Sequence, residues 1–206
     1  MITYIIIGIT ILASILAFQD RAIFSKYLFN PFVINEQKQV YRFLTHAFIH
    51  ADWMHLIMNM LVLYSFGQTL ETVYFPAVFE LPKASMYYVF LYLLAILVSA
   101  LPSFEKNKHN SYYSSVGASG AVSAVVFSCI LIDPTQKIIF LFLPFPIPAV
   151  VFGLLYLVYS WYMSKKGTDN IGHDAHFWGA VFGFVYTLLL KPSLFLSFVY
   201  QTKQLF

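Results

Sequence analysis

Ser119 and His176 lie in mostly apolar segments of the sequence. A serine and a histidine can together carry out nucleophilic catalysis. A serine hydroxyl becomes a nucleophile when a base within hydrogen-bond reach takes its proton, and histidine is the side chain that most often does so. Ser119 lies in a Gly-Ala-Ser-Gly string at 117–120. If a helix begins there, its first backbone N–H groups have no intrahelical acceptor and suit a developing oxyanion. These two residues predict acyl transfer.

His55 and Asn59 stand four residues apart, so that on a helix they share one face. Both side chains can donate hydrogen bonds, and we interpret them as further donors to the oxyanion. Each feature taken alone has an ordinary explanation, since a serine in a membrane helix usually bonds its own i−4 carbonyl. The functional interpretation rests on three separate segments that carry polar residues at the same shallow depth of a membrane.

The composition predicts that these residues lie in a membrane. Of the 206 residues, 60% are hydrophobic and 10% are charged, whereas about 25% of residues are charged in soluble proteins. These values exclude an ordinary cytosolic enzyme and a disordered chain. The single cysteine excludes a disulfide framework and a cysteine-based zinc site. A net charge of +3 gives no indication of nucleic acid as a partner.

Stretches without charged residues predict an all-α polytopic membrane protein with six transmembrane helices, because about 20 apolar residues cross a bilayer. The predicted spans of this single domain, 1–206, are 2–19, 53–70, 84–102, 115–132, 149–164 and 174–190. Three prolines at 144–148 predict an apolar connector before the fifth span. The second, fourth and sixth spans run in one direction, so that their polar N-terminal turns open on the same side.

Small residues at four-residue spacing predict close contact between the fourth and sixth spans. They are Gly120, Ala124 and Ser128 in the fourth span and Ala175, Gly179 and Gly183 in the sixth. Close contact of these two helices would bring Ser119 within reach of His176.

The same residues resemble the motifs of the rhomboid family of intramembrane serine proteases. Residues 41–50 with His55 and Asn59 resemble the family's second-helix region, residues 117–120 its Gly-x-Ser-Gly motif, and Ala175-His176 with Gly179 and Gly183 its last-helix motif. The resemblance covers residues 1 to about 190. Six spans with almost no additional domain are similar to the minimal bacterial form, a rhomboid-like bundle.

The resemblance implies an endopeptidase that cleaves membrane-anchored protein substrates within the lipid bilayer. It implies a dyad of Ser119 and His176, oxyanion stabilisation by His55 and Asn59, and no metal or organic cofactor. It also implies supporting roles for His50, Gly117 and Gly120.

The resemblance further implies a multi-pass protein of the inner cell membrane whose active site opens toward the extracytoplasmic side. The loop from Ser164 to Asp174 is similar to the family's cap over the active site, and we expect gating to involve this loop and the fifth helix. The basic residues favour the opposite topology, because with the N-terminus inside the outer loops hold eight of the 12 lysines and arginines. We follow the resemblance on this point.

One position departs from the family's pattern. Ser123, four residues after Ser119, stands where many members carry a tyrosine whose ring packs on the catalytic histidine. Trp178 and Phe127 are the candidates to supply that ring.

Two other functions stay open from the sequence. A metal-dependent membrane hydrolase would use several histidines at ligand-like spacing, namely His46, His50, His55, His173 and His176, although it leaves residues 117–120 unexplained. The other is a non-enzymatic relative that only binds transmembrane helices. Asp174 precedes His176 by two residues and should face another direction, so we predict a dyad and not a triad.

Overall fold

The computed structural model describes residues 1–140, 143–166 and 171–205. Its helices are α1 (Ile2–Gln19), α2 (Arg21–Tyr27), α3 (Pro31–Gln37), α4 (Arg42–Thr45), α5 (Trp53–Val62), α6 (Phe75–Val78), α7 (Lys83–Asn107), α8 (Ser119–Ile132), α9 (Ala149–Lys166), α10 (His173–Leu190) and α11 (Leu194–Lys203). A 3₁₀ turn (His46–Phe48) follows α4, and two π-helical segments (Leu63–Gly67 and Leu70–Tyr74) connect α5 to α6. We call the continuous helix at 53–78 the α5–α6 helix.

Helix α8 is the centre of the bundle. Every residue from Gly120 to Leu131 is buried, which fits a helix that is apolar on all sides and surrounded by other helices. Helices α10 and α7 pack against it along their length, and the α5–α6 helix packs on a further side. This central position explains why 14 residues suffice for α8, since the helix is enclosed by protein.

The outer helices present large apolar side chains to their surroundings. Leu12, Leu61, Leu155 and Leu189 are 57% to 75% exposed. Exposed apolar surface on this scale marks contact with lipid or with a partner. Together with the composition, it identifies a membrane protein.

The number of membrane spans differs from the six that the sequence predicts. By length and composition two of the described helices, α1 and α7, can each cross a membrane, and the pair α10 and α11, bent by 117°, makes up to three. The other predicted spans do lie on helices, but α8 is short, α9 ends on Lys165 and Lys166, and π-helical segments interrupt the α5–α6 helix. Six spans therefore stay a prediction.

The predicted start of the fourth span at Ser115 is wrong by four residues. The backbone of Ser115 pairs with that of Phe29 in an isolated β-bridge, with N···O distances of 2.9 and 3.0 Å. The chain then turns at Gly117, whose φ of +116° is outside the helical region. Helix α8 consequently begins at Ser119.

The all-α prediction also requires a correction between α8 and α9. Residues there form an antiparallel pair of strands, β1 (Lys137–Phe140) and β2 (Leu143–Pro148). The prolines of β2 exclude a helix, as predicted, and a two-stranded ribbon tolerates them because each strand has a free edge.

Arg42 anchors the segment that leads from α1 to α5. Its side chain is buried and donates to the carbonyl oxygens of Ser25 (2.9 Å) and Leu28 (2.8 Å) and to the side-chain oxygen of Gln39 (2.8 Å). A buried guanidinium held by several acceptors fixes its surroundings. Arg42 thereby connects α2 to α4 and positions the histidines that follow α4.

Candidate active site

A cavity of about 900 Å³ lies among the N-terminal ends of α5, α8 and α10. The predicted catalytic and oxyanion residues line it together, namely Ser119, His176, His55 and Asn59, with Gly117 and Gly120. Helix α9 contributes Phe152 and Tyr156 to its wall. The structure therefore brings the sequence-predicted site residues into one space, with His50 buried beside it.

Ser119 is the first residue of α8. The N–H groups of the first helical turn have no intrahelical acceptor, and the positive end of the helix dipole lies at the same point. Ala118 precedes the serine and accepts the N–H of Val122 at 2.9 Å. A serine hydroxyl at this position lies beside donors that could receive a negative oxygen.

His176 lies in the first turn of α10, and its N–H donates to the carbonyl of Gly172 (3.1 Å). Helices α8 and α10 touch through their backbones. A Cβ at Gly179 would overlap the carbonyl of Gly120, and one at Gly120 would overlap Ser99 and lie 3.4 Å from the carbonyl oxygen of Ala175. The backbones of α8 and α10 thus approach each other closely beside Ser119 and His176.

The small-residue contact continues down the two helices. A Cβ at Gly183 would overlap the backbone of Ala124. The Ser128 hydroxyl lies 2.9 Å from the carbonyl oxygen of Ala124 and 3.1 Å from that of Gly183, and Thr187 donates to Ser128 at 2.8 Å. The predicted close contact between these helices is confirmed.

Both the backbone conformation and the close packing at position 117 require a glycine. Its positive φ disfavours any residue with a side chain, and a Cβ there would lie 2.6 Å from the His55 ring. Its N–H donates to the carbonyl of His46 at 2.9 Å. Gly117 therefore allows the loop before Ser119 to lie directly against the imidazole of His55.

His50 is fully buried beside this loop. The N–H of Ala118 donates to its Nε2 at 3.5 Å, which places the ring hydrogen on Nδ1, 3.0 Å from the Ser14 hydroxyl. Ser14 donates in turn to the carbonyl of Phe48 at 3.1 Å. Burial, and to a lesser degree His55, lower the pKa of His50 to about 3 while Asp52 acts in the other direction. A neutral His50 thus connects α1 to the residue before Ser119.

The residues from 52 to 59 orient two side chains toward the cavity. Asp52 is the N-cap of α5, since its side chain accepts the N–H of His55 at 2.8 Å. The Asn59 side-chain amide donates one hydrogen to the carbonyl of His55 at 3.0 Å. An amide nitrogen carries two hydrogens, so that Asn59 can donate a second bond.

Tyr156 is a residue of the cavity that the sequence does not predict. Its ring is stacked on that of His176, with centroids 6.1 Å apart and planes 26° apart, and its phenol oxygen lies 2.6 Å from the Ser123 hydroxyl. Phe127 packs on Tyr156, whereas Trp178 is 42% exposed and packs on Phe177. A ring that packs on His176 therefore comes from α9, a helix that carries neither of the two predicted candidates.

The histidines do not form a metal site in the described part of the chain. No group of three or more His, Cys, Asp or Glu side chains within residues 1–140, 143–166 and 171–205 is arranged to hold an ion. His46 is instead buried, with Nδ1 3.0 Å from the carbonyl oxygen of Arg42. Burial lowers the pKa of His46 to about 4. The geometry gives the metal-hydrolase alternative no support.

Asp174, which is predicted to face away from His176, has a partner on another helix. Its carboxylate pairs with Lys106 of α7 at 3.3 Å. The predicted cap, Ser164 to Asp174, lies partly outside the described residues, which resume at Ile171 after Lys166.

Comparison with known proteins agrees with the geometry. A family model described as a rhomboid domain matches residues 37–193. The chain belongs to the rhomboid family. The match begins just before α4 and ends after α10, so that it includes every residue lining the cavity from His46 to His176.

Two plant rhomboid-like proteins are similar to this chain over most of its length. The mitochondrial RHOMBOID-like protein 12 of Arabidopsis thaliana is 26% identical over 190 residues, which cover 85% of this chain and 55% of that protein. The chloroplastic Rhomboid-like protein 11 of the same plant is 30% identical over 185 residues, 84% of this chain and 59% of that protein. The chain spans less than two thirds of the length of either relative. Their organelles do not support the prediction of a bacterial inner membrane.

Proposed function

We propose that this rhomboid is an intramembrane serine endopeptidase that cleaves transmembrane-anchored proteins with a dyad of Ser119 and His176. The observation that carries the proposal is the shared cavity in which both residues meet two further hydrogen-bonding side chains. Backbone contact between α8 and α10 beside the two residues supports the pairing. The family membership supports the same class of activity.

In the proposed reaction the Ser119 oxygen attacks a peptide carbonyl carbon while His176 takes the hydroxyl proton. The oxyanion is stabilised by the N–H groups at the start of α8 and by His55 and Asn59. The intermediate collapses as His176 donates its proton to the leaving amine, which leaves an acyl-enzyme. Water, deprotonated by His176, then attacks the ester, and Ser119 regains its proton.

His50, Gly117 and Gly120 act in support of this chemistry in our proposal. Gly117 and His50 hold the loop before Ser119, and Gly120 allows α10 to approach. None of these residues needs to touch the substrate. We propose no metal or organic cofactor.

We further propose that substrates reach the cavity from the bilayer, between the α5–α6 helix and α9. Met54, Met58 and Phe152 line this side of the cavity, and the two methionines are 67% and 48% exposed. A transmembrane helix hides its carbonyls in its own hydrogen bonds, so that a substrate must unwind locally before it is cut. Segments with small residues near the membrane surface are the proposed class.

The directions of the helices support a site that opens on the side of the bundle opposite the N-terminus of α1. The N-terminus of α1 meets Glu71 near the far end of the α5–α6 helix, whereas His50 and the start of α5 lie near the other end of α1. In our proposal both chain ends are inside and the cavity opens to the extracytoplasmic side of a multi-pass membrane protein.

The test is cleavage of single-span reporter proteins by the full chain in liposomes. The proposal expects cleavage by the wild type, a loss of about a thousandfold or more in Ser119→Ala and His176→Ala, and no loss in His109→Ala, whose side chain is exposed. Chelators should have no effect. Cleavage that survives Ser119→Ala would refute the proposal, and reporter binding without cleavage would favour the non-enzymatic alternative.

A further inference from the structure

The ring stacked on His176 belongs to α9. The fully buried residues of this helix are Ala149, Gly153 and Ser160, and Tyr156 lies on the same stripe, at helical spacing. The opposite face, including Leu154, Leu155 and Val158, is more than 60% exposed. Within this stripe Tyr156 makes both the stack on His176 and the bond to Ser123.

On this basis, which rests on the proposed function, we propose that Tyr156 is the positioning residue that orients the His176 imidazole for catalysis. The ring stack restricts rotation of the imidazole. The 2.6 Å hydrogen bond to Ser123 fixes the position of the Tyr156 phenol relative to α8. A serine side chain at 123 has no ring that could stack on the imidazole. Tyr156 and Ser123 thus form one unit contributed by two helices.

Two further rings hold Tyr156 in this orientation. Phe127 of α8 and Phe152 of α9 each lie with ring centroids 5.7 Å from that of Tyr156, at 45° and 43°. Gly153 leaves room for this arrangement, because a Cβ there would lie 3.1 Å from Ile130 and 3.5 Å from Phe127. Tilted aromatic contacts of this kind stabilise a fixed ring geometry.

Through Tyr156, the orientation of the His176 imidazole depends on the position of α9. If α9 moves outward to admit a substrate helix, Tyr156 leaves His176 and the imidazole loses its stacking partner. Productive proton transfer then requires α9 to return, since a small misplacement of a catalytic group lowers the rate strongly. His176 is therefore fully oriented only in the closed arrangement.

The test compares Tyr156→Leu and Tyr156→Phe by the rate at which a fluorophosphonate labels the full chain in detergent. We expect Tyr156→Leu to lower the rate about tenfold to a hundredfold, and Tyr156→Phe, which keeps the ring, to stay within about tenfold of the wild type. Tyr162→Leu is the matched control, because that ring lies on α9, is 54% exposed and faces Lys166. Thermal unfolding of each variant separates misfolding from misplacement.

A double-mutant cycle tests the unit formed with Ser123. Ser123→Ala and Tyr156→Phe each remove the same hydrogen bond, so that the double variant should be no slower than the slower single one. Multiplicative losses would contradict the coupling. A Tyr156→Leu variant with wild-type rate, or a Tyr156→Phe variant as slow as Tyr156→Leu, would overturn the positioning role.

Nuclear magnetic resonance of ¹⁵N-histidine-labelled protein tests the stack without relying on activity. The His176 signals, assigned with His176→Ala, should shift in Tyr156→Leu and stay close to the wild type in Tyr162→Leu. Unchanged His176 signals in Tyr156→Leu would refute the inference even if the chain proves not to be an enzyme. Failure of the proposed function appears separately, as absence of Ser119-dependent labelling in the wild type.

Discussion

The Glu71 carboxylate accepts the hydroxyl of Thr3 at 2.7 Å and, at the same time, the backbone N–H groups of Ile2 (2.6 Å) and Thr3 (2.9 Å). Glu71 belongs to the π-helical segment before α6 and so caps a helix far away in the sequence. A carboxylate at a helix N-terminus satisfies free N–H groups and interacts favourably with the helix dipole. This contact attaches α1, all of which precedes the matched family domain, to the bundle.

Replacement of Glu71 by glutamine should therefore destabilise the protein by about 1–2 kcal/mol, because one charged acceptor and its short hydrogen bonds are lost. Thermal or denaturant unfolding in detergent measures the change. Glu80→Gln is the matched control, since the Glu80 side chain is 89% exposed and lies 3.9 Å from Lys83. Equal effects of the two substitutions would contradict the capping role.

The backbone contact between α8 and α10 predicts a large difference between two glycine-to-alanine substitutions. Gly183→Ala places a Cβ in the backbone of Ala124 and should destabilise the protein by about 1–3 kcal/mol while it separates the two helices. Gly8→Ala in α1 meets nothing within 4 Å and should be neutral or stabilising. Unfolding in detergent, with fluorophosphonate labelling of both variants, measures the pair. A Gly183→Ala protein as stable and reactive as Gly8→Ala would contradict the packing described.

Much of this arrangement could be predicted from the sequence because it depends on local rules. The bounds of α1, the N-cap at Asp52 and the small stripe through Gly179 and Gly183 follow from apolar length, capping chemistry and residue size. The grouping of Ser119 with His176 followed from parallel helix directions.

Other features depend on contacts between distant residues, which local patterns do not specify. Tyr156 faces Ser123, 33 residues away, only because of the rotation of α9 about its axis. The Glu71 carboxylate accepts the N–H of Ile2, 69 residues earlier in the sequence. Ser115 lies outside α8 because its backbone pairs with that of Phe29. The periodicity of hydrophobic residues in the sequence predicts none of these three contacts.

The buried imidazole of His46 predicts that stability declines in mildly acidic solution. Its pKa is lowered by burial from 6.5 to about 4, so that between these values the unfolded chain binds more protons than the folded one. The stabilisation is complete above pH 6.5 and is lost as pH falls toward 4, by up to about 1.4 kcal/mol per pH unit for this histidine.

His46→Gln should reduce this slope of unfolding free energy against pH, measured in detergent between pH 4 and 7. His50, whose pKa is also lowered by burial, keeps part of the slope. His109→Gln should leave the slope unchanged, because His109 is exposed. A slope that is the same in wild type and His46→Gln would contradict a neutral, buried His46.

The central claim is that Ser119 is a nucleophile activated by His176, and the most direct measurement is the site of covalent fluorophosphonate modification. The wild type, Ser119→Ala and His176→Ala would be labelled in detergent and mapped by peptide mass spectrometry. We expect phosphonylation of Ser119 in the wild type, none in Ser119→Ala and a rate lower by about a hundredfold or more in His176→Ala. Modification that persists at another serine in Ser119→Ala, or a folded wild type that is not modified, would contradict the claim.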